Sequence, residues 1–177
     1  MGWSLDYHAP KEPLLLDRLF LAAGRALYLA SSFEAKCQWV LRIVKIADYH
    51  KATGDSSATA ALARALKDKT LGLTIRDLHS AAPLNENDLA TFERARDARN
   101  YIAHESAQVG LLSSASSKTI NEKIARLKVE VEALTAADNV ISTWTYEIEE
   151  KVPAPQGIQD AYPGWVIEWV FEGTYGT

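Results

Sequence analysis

Six consecutive residues, Arg99-Asn100-Tyr101-Ile102-Ala103-His104, set a guanidinium, a carboxamide and an imidazole side by side, which a purely structural helix has no need to do. Arginine is a permanent cation with a planar fork of donors that matches phosphate oxygens. Histidine takes or gives a proton near neutral pH. Asn100 and His104 stand four residues apart, so one helical face carries both. Such a set suits phosphodiester chemistry on RNA, where the substrate's own 2′-hydroxyl is the nucleophile and the protein has only to position, deprotonate and stabilise. His104 would act as general base on the 2′-oxygen or general acid on the 5′-oxygen. Arg99 would hold the phosphate, and Asn100 would orient the imidazole or the phosphate. Arg96, Tyr101 and Glu105 stand beside them as substrate-binding candidates. The sequence offers no convincing Asp/Glu/His cluster for a metal, so neither a metal nor another cofactor is expected.

The spacing constrains the geometry. On a straight helix Arg99 and His104 differ by five residues, about 140° around the axis, so one copy does not converge well on one phosphate. A two-fold homodimer resolves this, with Arg99 of one copy serving His104 of the other. The structural alternative is that Arg99 and Asn100 cap or salt-bridge neighbouring helices while His104 is a cation at a helix C-terminus.

The elements that must hold this stretch read as helices throughout. From Pro13, the residues Leu16, Leu19, Ala23, Ala26, Ala30, Phe33, Cys37, Val40, Val44 and Ala47 recur at three- and four-residue steps. Ser31 with Glu34 resembles a capping box, which leaves one helix or two over this span. Gly54-Asp55-Ser56-Ser57 ends it with turn residues. A second region, Ala58 to Ala82, is anchored by Leu62, Leu66, Leu73 and Leu78; Gly72 inside it marks a bend or a close approach to a neighbour. Asp77 and His79 point to different sides, and His79 reads as a surface or loop-end residue. Pro83 and Asn85, followed by Glu86 and Asp88, announce the start of the helix that carries the motif. A Ser-rich loop from Leu111 leads into the longest periodic segment, Lys118 to Glu150. Its stripe of Ile120, Ile124, Leu127, Val131, Leu134, Ile141, Trp144 and Ile148 is interrupted by Ala137 and Asp138.

Val152-Pro153-Ala154-Pro155 closes that helix. Beyond it Tyr162, Trp165, Trp169, Phe171 and Tyr175 accompany Asp160, Glu168 and Glu172, with no Lys or Arg. Trp165 to Phe171 alternates imperfectly, so a short strand or a tail laid on the bundle, or on a partner, is expected. The predicted fold class is all-α, an up-and-down four- to five-helix bundle over residues 13–150, with an N-terminal arm (1–12, holding Trp3, Tyr7 and His8) and an aromatic C-terminal tail (151–177).

Composition sets the outer limits. With 47% hydrophobic and 24% charged residues in 177, one ordinary globular core is within reach. A net charge of −4 argues against a broad, non-specific nucleic-acid coat, although Arg94, Arg96 and Arg99 concentrate three arginines at the motif. The single cysteine, Cys37, has no partner for a disulfide or a zinc site and reads as a buried thiol. No basic-then-apolar leader and no span of about 20 apolar residues stands out, so a cytoplasmic setting without a membrane partner is expected.

Arg-Asn-x-x-x-His near the end of a helix in a short helical chain resembles the HEPN family of helical ribonuclease and nucleotide-binding domains. The resemblance maps that family's motif onto Arg99, Asn100 and His104 and covers roughly Pro13 to Glu150, with only the six-residue motif specific. It implies a metal-independent endoribonuclease of a toxin–antitoxin or antiviral-defence system, a homodimer whose two motifs face one cleft, RNA as substrate and an antitoxin or defence protein as partner. It also allows a catalytically inactive module that binds nucleotide, RNA or a partner protein. A toxin subgroup carries a tyrosine two residues after the histidine, where this chain has Ser106.

Overall fold

A computed structural model describes residues 9–66, 69–82 and 84–173; the expectations placed on residues 1–8 (Trp3, Tyr7 and His8 among them), Pro83 and Tyr175 lie outside them. Every regular element among the described residues is a helix: α1 (Pro13–Thr53), α2 (Ser56–Ala65), α3 (Leu71–Ala81), α4 (Glu86–His104), α5 (Ser117–Glu150) and α6 (Gln156–Glu172). No described helix is long and apolar enough to cross a membrane. Among the described residues, the span 13–150 holds five helices, within the expected four to five, and a sixth lies in the tail; two details differ from the expectation. The span Ala58 to Ala82 divides at Leu66, where the backbone turns extended, and the aromatic tail is helical rather than a strand.

α1 is one unbroken helix of 41 residues, about 60 Å at 1.5 Å per residue. The capping box read at Ser31 and Glu34 is not formed: the Ser31 hydroxyl donates to Leu27 O inside the helix, and Glu34 is spent on Arg99. Its predicted stripe is buried from Leu16 through Val40, then fades, with Val44 half-buried and Ala47 exposed where the last turns run past the core. Gly54 ends it at φ 65, a left-handed cap that glycine adopts without strain, and its N–H bonds His50 O. Asp55 then caps α2 through Ser57 N and Ala58 N at 2.8 and 3.0 Å.

The core lies between α1, α4 and α5, with Phe33, Phe92, Leu127, Val131, Leu134 and Ile141 fully covered. Ala137 and Asp138 do not interrupt the α5 stripe; both are buried. Asp138 is acceptable there because Lys36 Nζ of α1 reaches its two oxygens at 2.8 and 2.9 Å and the Tyr162 hydroxyl of α6 donates to it. Lys36 also donates to Ser142 Oγ at 2.8 Å. Cys37, beside this network, is buried as expected, and burial pushes its thiol far above the ordinary range.

α6 packs on α1 and α5 through Val166 and Val170. Pro163 sits inside it and cannot supply the N–H that Gln159 O would normally receive. Asn139 of α5 fills that vacancy, its side-chain amide donating to Gln159 O at 2.8 Å. At the other end, the Arg25 guanidinium of α1 donates to Val170 O at 3.3 Å, placing a cation at the α6 C-terminus. Apolar side chains are left largely exposed on the opposite side of the α1 core stripe: Leu14, Leu21 and Tyr28, at seven-residue spacing, are 84%, 60% and 68% exposed, and the Tyr28 ring meets Trp169 of α6 edge-on at 5.7 Å. Phe20 and Leu27 are exposed on a flank of the helix.

Candidate functional site

The helix carrying the motif starts where the sequence places it. Asn85 caps α4 by accepting from Asp88 N at 2.9 Å, and its amide returns a bond to the Asp88 carboxylate at 2.8 Å. Leu84 and Leu89 occupy the staple positions against the core. His79 Nδ1 accepts from Leu84 N at 3.2 Å, so it is a loop-end residue that closes the α3–α4 connection. Asp77 is not its partner; it takes Lys69 and Lys45 at 2.6 and 3.0 Å. Phe92, Ala95, Ala98 and Ile102 form the buried face of α4, which directs the motif side chains to its flanks.

The final turn is well satisfied. Ser106 is buried, and its hydroxyl donates to Ile102 O at 2.7 Å. The Gln108 side chain donates to His104 O, and Lys123 Nζ of α5 donates to Glu105 O at 3.2 Å.

The six candidate residues divide. Asn100, Tyr101 and Glu105 line a groove of about 570 Å³ between α4 and the first half of α5, completed by Asp97, Thr119, Glu122, Lys123 and Arg126. Arg99 lies elsewhere: its Nε and Nη2 both reach Glu34 Oε2 of α1, at 3.1 and 2.8 Å. Arg96 turns to Asp97 at 3.0 and 2.8 Å, and its stem lies 3.5 Å from where a Cβ on Gly72 would sit, an ordinary contact that does not require glycine there. His104 is exposed on the last turn of α4 and does not line the groove. Within one copy, then, Arg99 and His104 do not meet over a common cavity.

Electrostatically the groove is built around Tyr101. Lys123 Nζ and the Arg126 guanidinium lie 5.7 and 5.3 Å from its ring centroid, within cation–π range. Burial lifts the Tyr101 phenol above its ordinary range, with Arg126 opposing, and its hydroxyl is buried without a hydrogen-bond partner. Beneath it, Glu130 of α5 is buried; Arg94 Nη1 and Arg126 Nε each sit 2.6 Å from one of its oxygens. Lys123, Arg126 and Glu130 escape a reading centred on α4. The available signal was Glu130 itself, a carboxylate on the core stripe between Leu127 and Leu134 that demands a cation from somewhere. Among the described residues no three His, Cys, Asp or Glu side chains come together as a metal site would require. No family model, curated protein or solved structure matches this chain.

Proposed function

We propose that the chain is a metal-independent endoribonuclease working as a homodimer, of the kind that serves as a toxin or antiviral-defence effector. The observation that carries this reading is the placement of the motif: the last turns of α4 present Asn100 and His104 to solvent beside a groove that holds two cations. RNA laid there would be cut by its own 2′-hydroxyl. The 2′-oxygen attacks phosphorus, the bond to the 5′-oxygen breaks, and a 2′,3′-cyclic phosphate and a 5′-hydroxyl result. His104 takes the 2′-proton or gives one to the departing 5′-oxygen. Arg99 engages Glu34 through its Nε/Nη2 edge, and its Nη1 edge remains for a phosphate oxygen.

A second copy supplies what one copy lacks. The uncovered apolar strip of α1, Leu14, Leu21 and Tyr28, supports that assembly as a surface a second copy can cover. Sedimentation should show a dimer that Leu21→Asp with Tyr28→Asp dissociates.

The deciding experiment incubates purified protein with RNA in EDTA and identifies the ends. Cleavage leaving 2′,3′-cyclic phosphate, abolished by His104→Ala and by 2′-deoxy substitution at the cut site, is the expected result. Growth arrest on expression, relieved by His104→Ala, is the cellular counterpart. The Arg99–Glu34 ion pair favours a second reading, a catalytically inactive module that binds nucleotide, RNA or a partner protein, since the phosphate-holding group already has a carboxylate. Intact RNA together with nucleotide binding would establish that alternative. If Arg99→Ala and His104→Ala only lower the melting temperature, the motif is architectural.

A further inference from the structure

Glu130 is the least expected residue in the core. It is 1% exposed, on a stripe where leucine or valine would pack without electrostatic cost. Its two partners face outward: the Arg94 and Arg126 side chains are 43% and 61% exposed. Both Glu130 oxygens are buried without a hydrogen bond of good geometry, so the two close ion pairs, each 2.6 Å, are what compensate its charge, and they tie two solvent-reaching guanidiniums to one buried point. Arg126 is steadied further by the Tyr101 ring, which also receives Lys123. Two of the three acids lining the groove are engaged by cations: Asp97 by Arg96 at 2.8 Å and, more loosely, Glu122 by Lys118 at 3.9 Å. Glu105 is the third.

We infer that Arg94, Arg126 and Lys123 form a phosphate-binding track for single-stranded RNA alongside the scissile site, with Glu130 as the positioning residue that sets the two arginines. The inference rests on the ribonuclease reading and extends it to the nucleotides flanking the cut. From Arg94 to His104 is ten residues, about 15 Å of α4, longer than one nucleotide repeat, so the track suits an oligonucleotide rather than a mononucleotide. Asn100 lines the same groove as Lys123 and Arg126, one turn of α4 before His104. An ordered row of cations beside an aromatic platform is how single strands are held without sequence readout.

The test uses the full chain with His104→Ala, so that RNA survives, and follows a fluorescent single-stranded RNA 12-mer by anisotropy across a salt series. Lys123→Gln removes a surface bond to the Glu105 carbonyl and the ammonium over the Tyr101 ring, and an unchanged melting temperature confirms that folding is preserved. It should weaken binding several-fold and reduce the log–log salt slope by about 0.7, one single-strand phosphate. Arg126→Gln should do the same, with its melting temperature checked because Glu130 then keeps only Arg94. Glu130→Gln separates positioning from charge. It raises the net charge by one, so a simple electrostatic surface would bind tighter, whereas a track that needs its arginines held binds roughly three- to ten-fold weaker. Unchanged affinity and slope in Lys123→Gln and Arg126→Gln would overturn the track, as would an inert protein that binds no RNA. If the track variants lose binding but the wild type leaves RNA uncut, the track stands and the nuclease reading fails. If the wild type cuts RNA and the track variants in the His104→Ala background bind as well as that parent, the track alone fails.

Discussion

Two carboxylates on α5, Glu130 and Asp138, stand eight residues apart and are almost equally buried, at 1% and 0% exposed, yet they belong to different kinds of structure. Asp138 is answered from inside the molecule. Lys36 is largely covered, Tyr162 is half-buried, and together they join α1, α5 and α6. Glu130 is answered from the surface, by two arginines that water still reaches. A buried charge whose partners are buried organises the fold; one whose partners are exposed organises a face of it. The same desolvation cost serves architecture in one place and recognition in the other.

The contrast breaks most decisively at Asp138. Asp138→Ala leaves the Lys36 ammonium uncompensated beside the core and should cost about 3–5 kcal/mol in urea denaturation. Glu130→Ala should cost about 2 kcal/mol, because Arg94 and Arg126 can turn to solvent. Equal losses would erase the distinction between the two sites. Tyr162→Phe sharpens the Asp138 side. It removes one donor and leaves Lys36, and should cost about 1.5 kcal/mol, with faster amide exchange in α6 than in α5. The smallest effect is expected at Asp77, an ion pair of the outer kind. Lys69, then Lys45, hold its carboxyl below the usual range. A depressed carboxylate stabilises the fold above its unfolded value, about 3.9, and loses that contribution as pH falls through the lower folded value. Asp77→Asn should therefore lower stability by less than about 1 kcal/mol at pH 7, and the difference from wild type should shrink as pH falls below the unfolded value, about 3.9, and vanish below the folded one.

What the sequence disclosed was decided locally. Asn85 with Asp88, Gly54 and the period of α5 are set within a few residues of themselves, and the helix bounds fall where those signals stand. Ser31 and Glu34 misled because the Glu34 carboxylate answers Arg99, 65 residues away, rather than its own backbone. Asp138 looked like an interruption because Lys36 and Tyr162 are distant in sequence. α6 resisted because aromatic side chains on several of its faces blur any helical period and Pro163 argues against a helix; tertiary partners decide it. The motif was legible as six adjacent residues. The groove was not, since Lys123 and Arg126 look like ordinary surface charge until Tyr101 and Glu130 are placed beneath them.

Pro163 has one more effect. By withdrawing a single N–H it gives α6 one backbone oxygen that only a donor outside the helix can satisfy, and that donor is Asn139 alone among the described residues. Apolar faces such as Val166 and Val170 tolerate sliding, because one greasy contact resembles the next. An orphan carbonyl does not. A terminal helix displaced by one turn along α5 would strand Gln159 O without a donor and carry Tyr162 past Asp138, so two unmet polar groups would penalise every wrong offset. The proline thus works as an index mark that fixes where along its neighbour α6 stops.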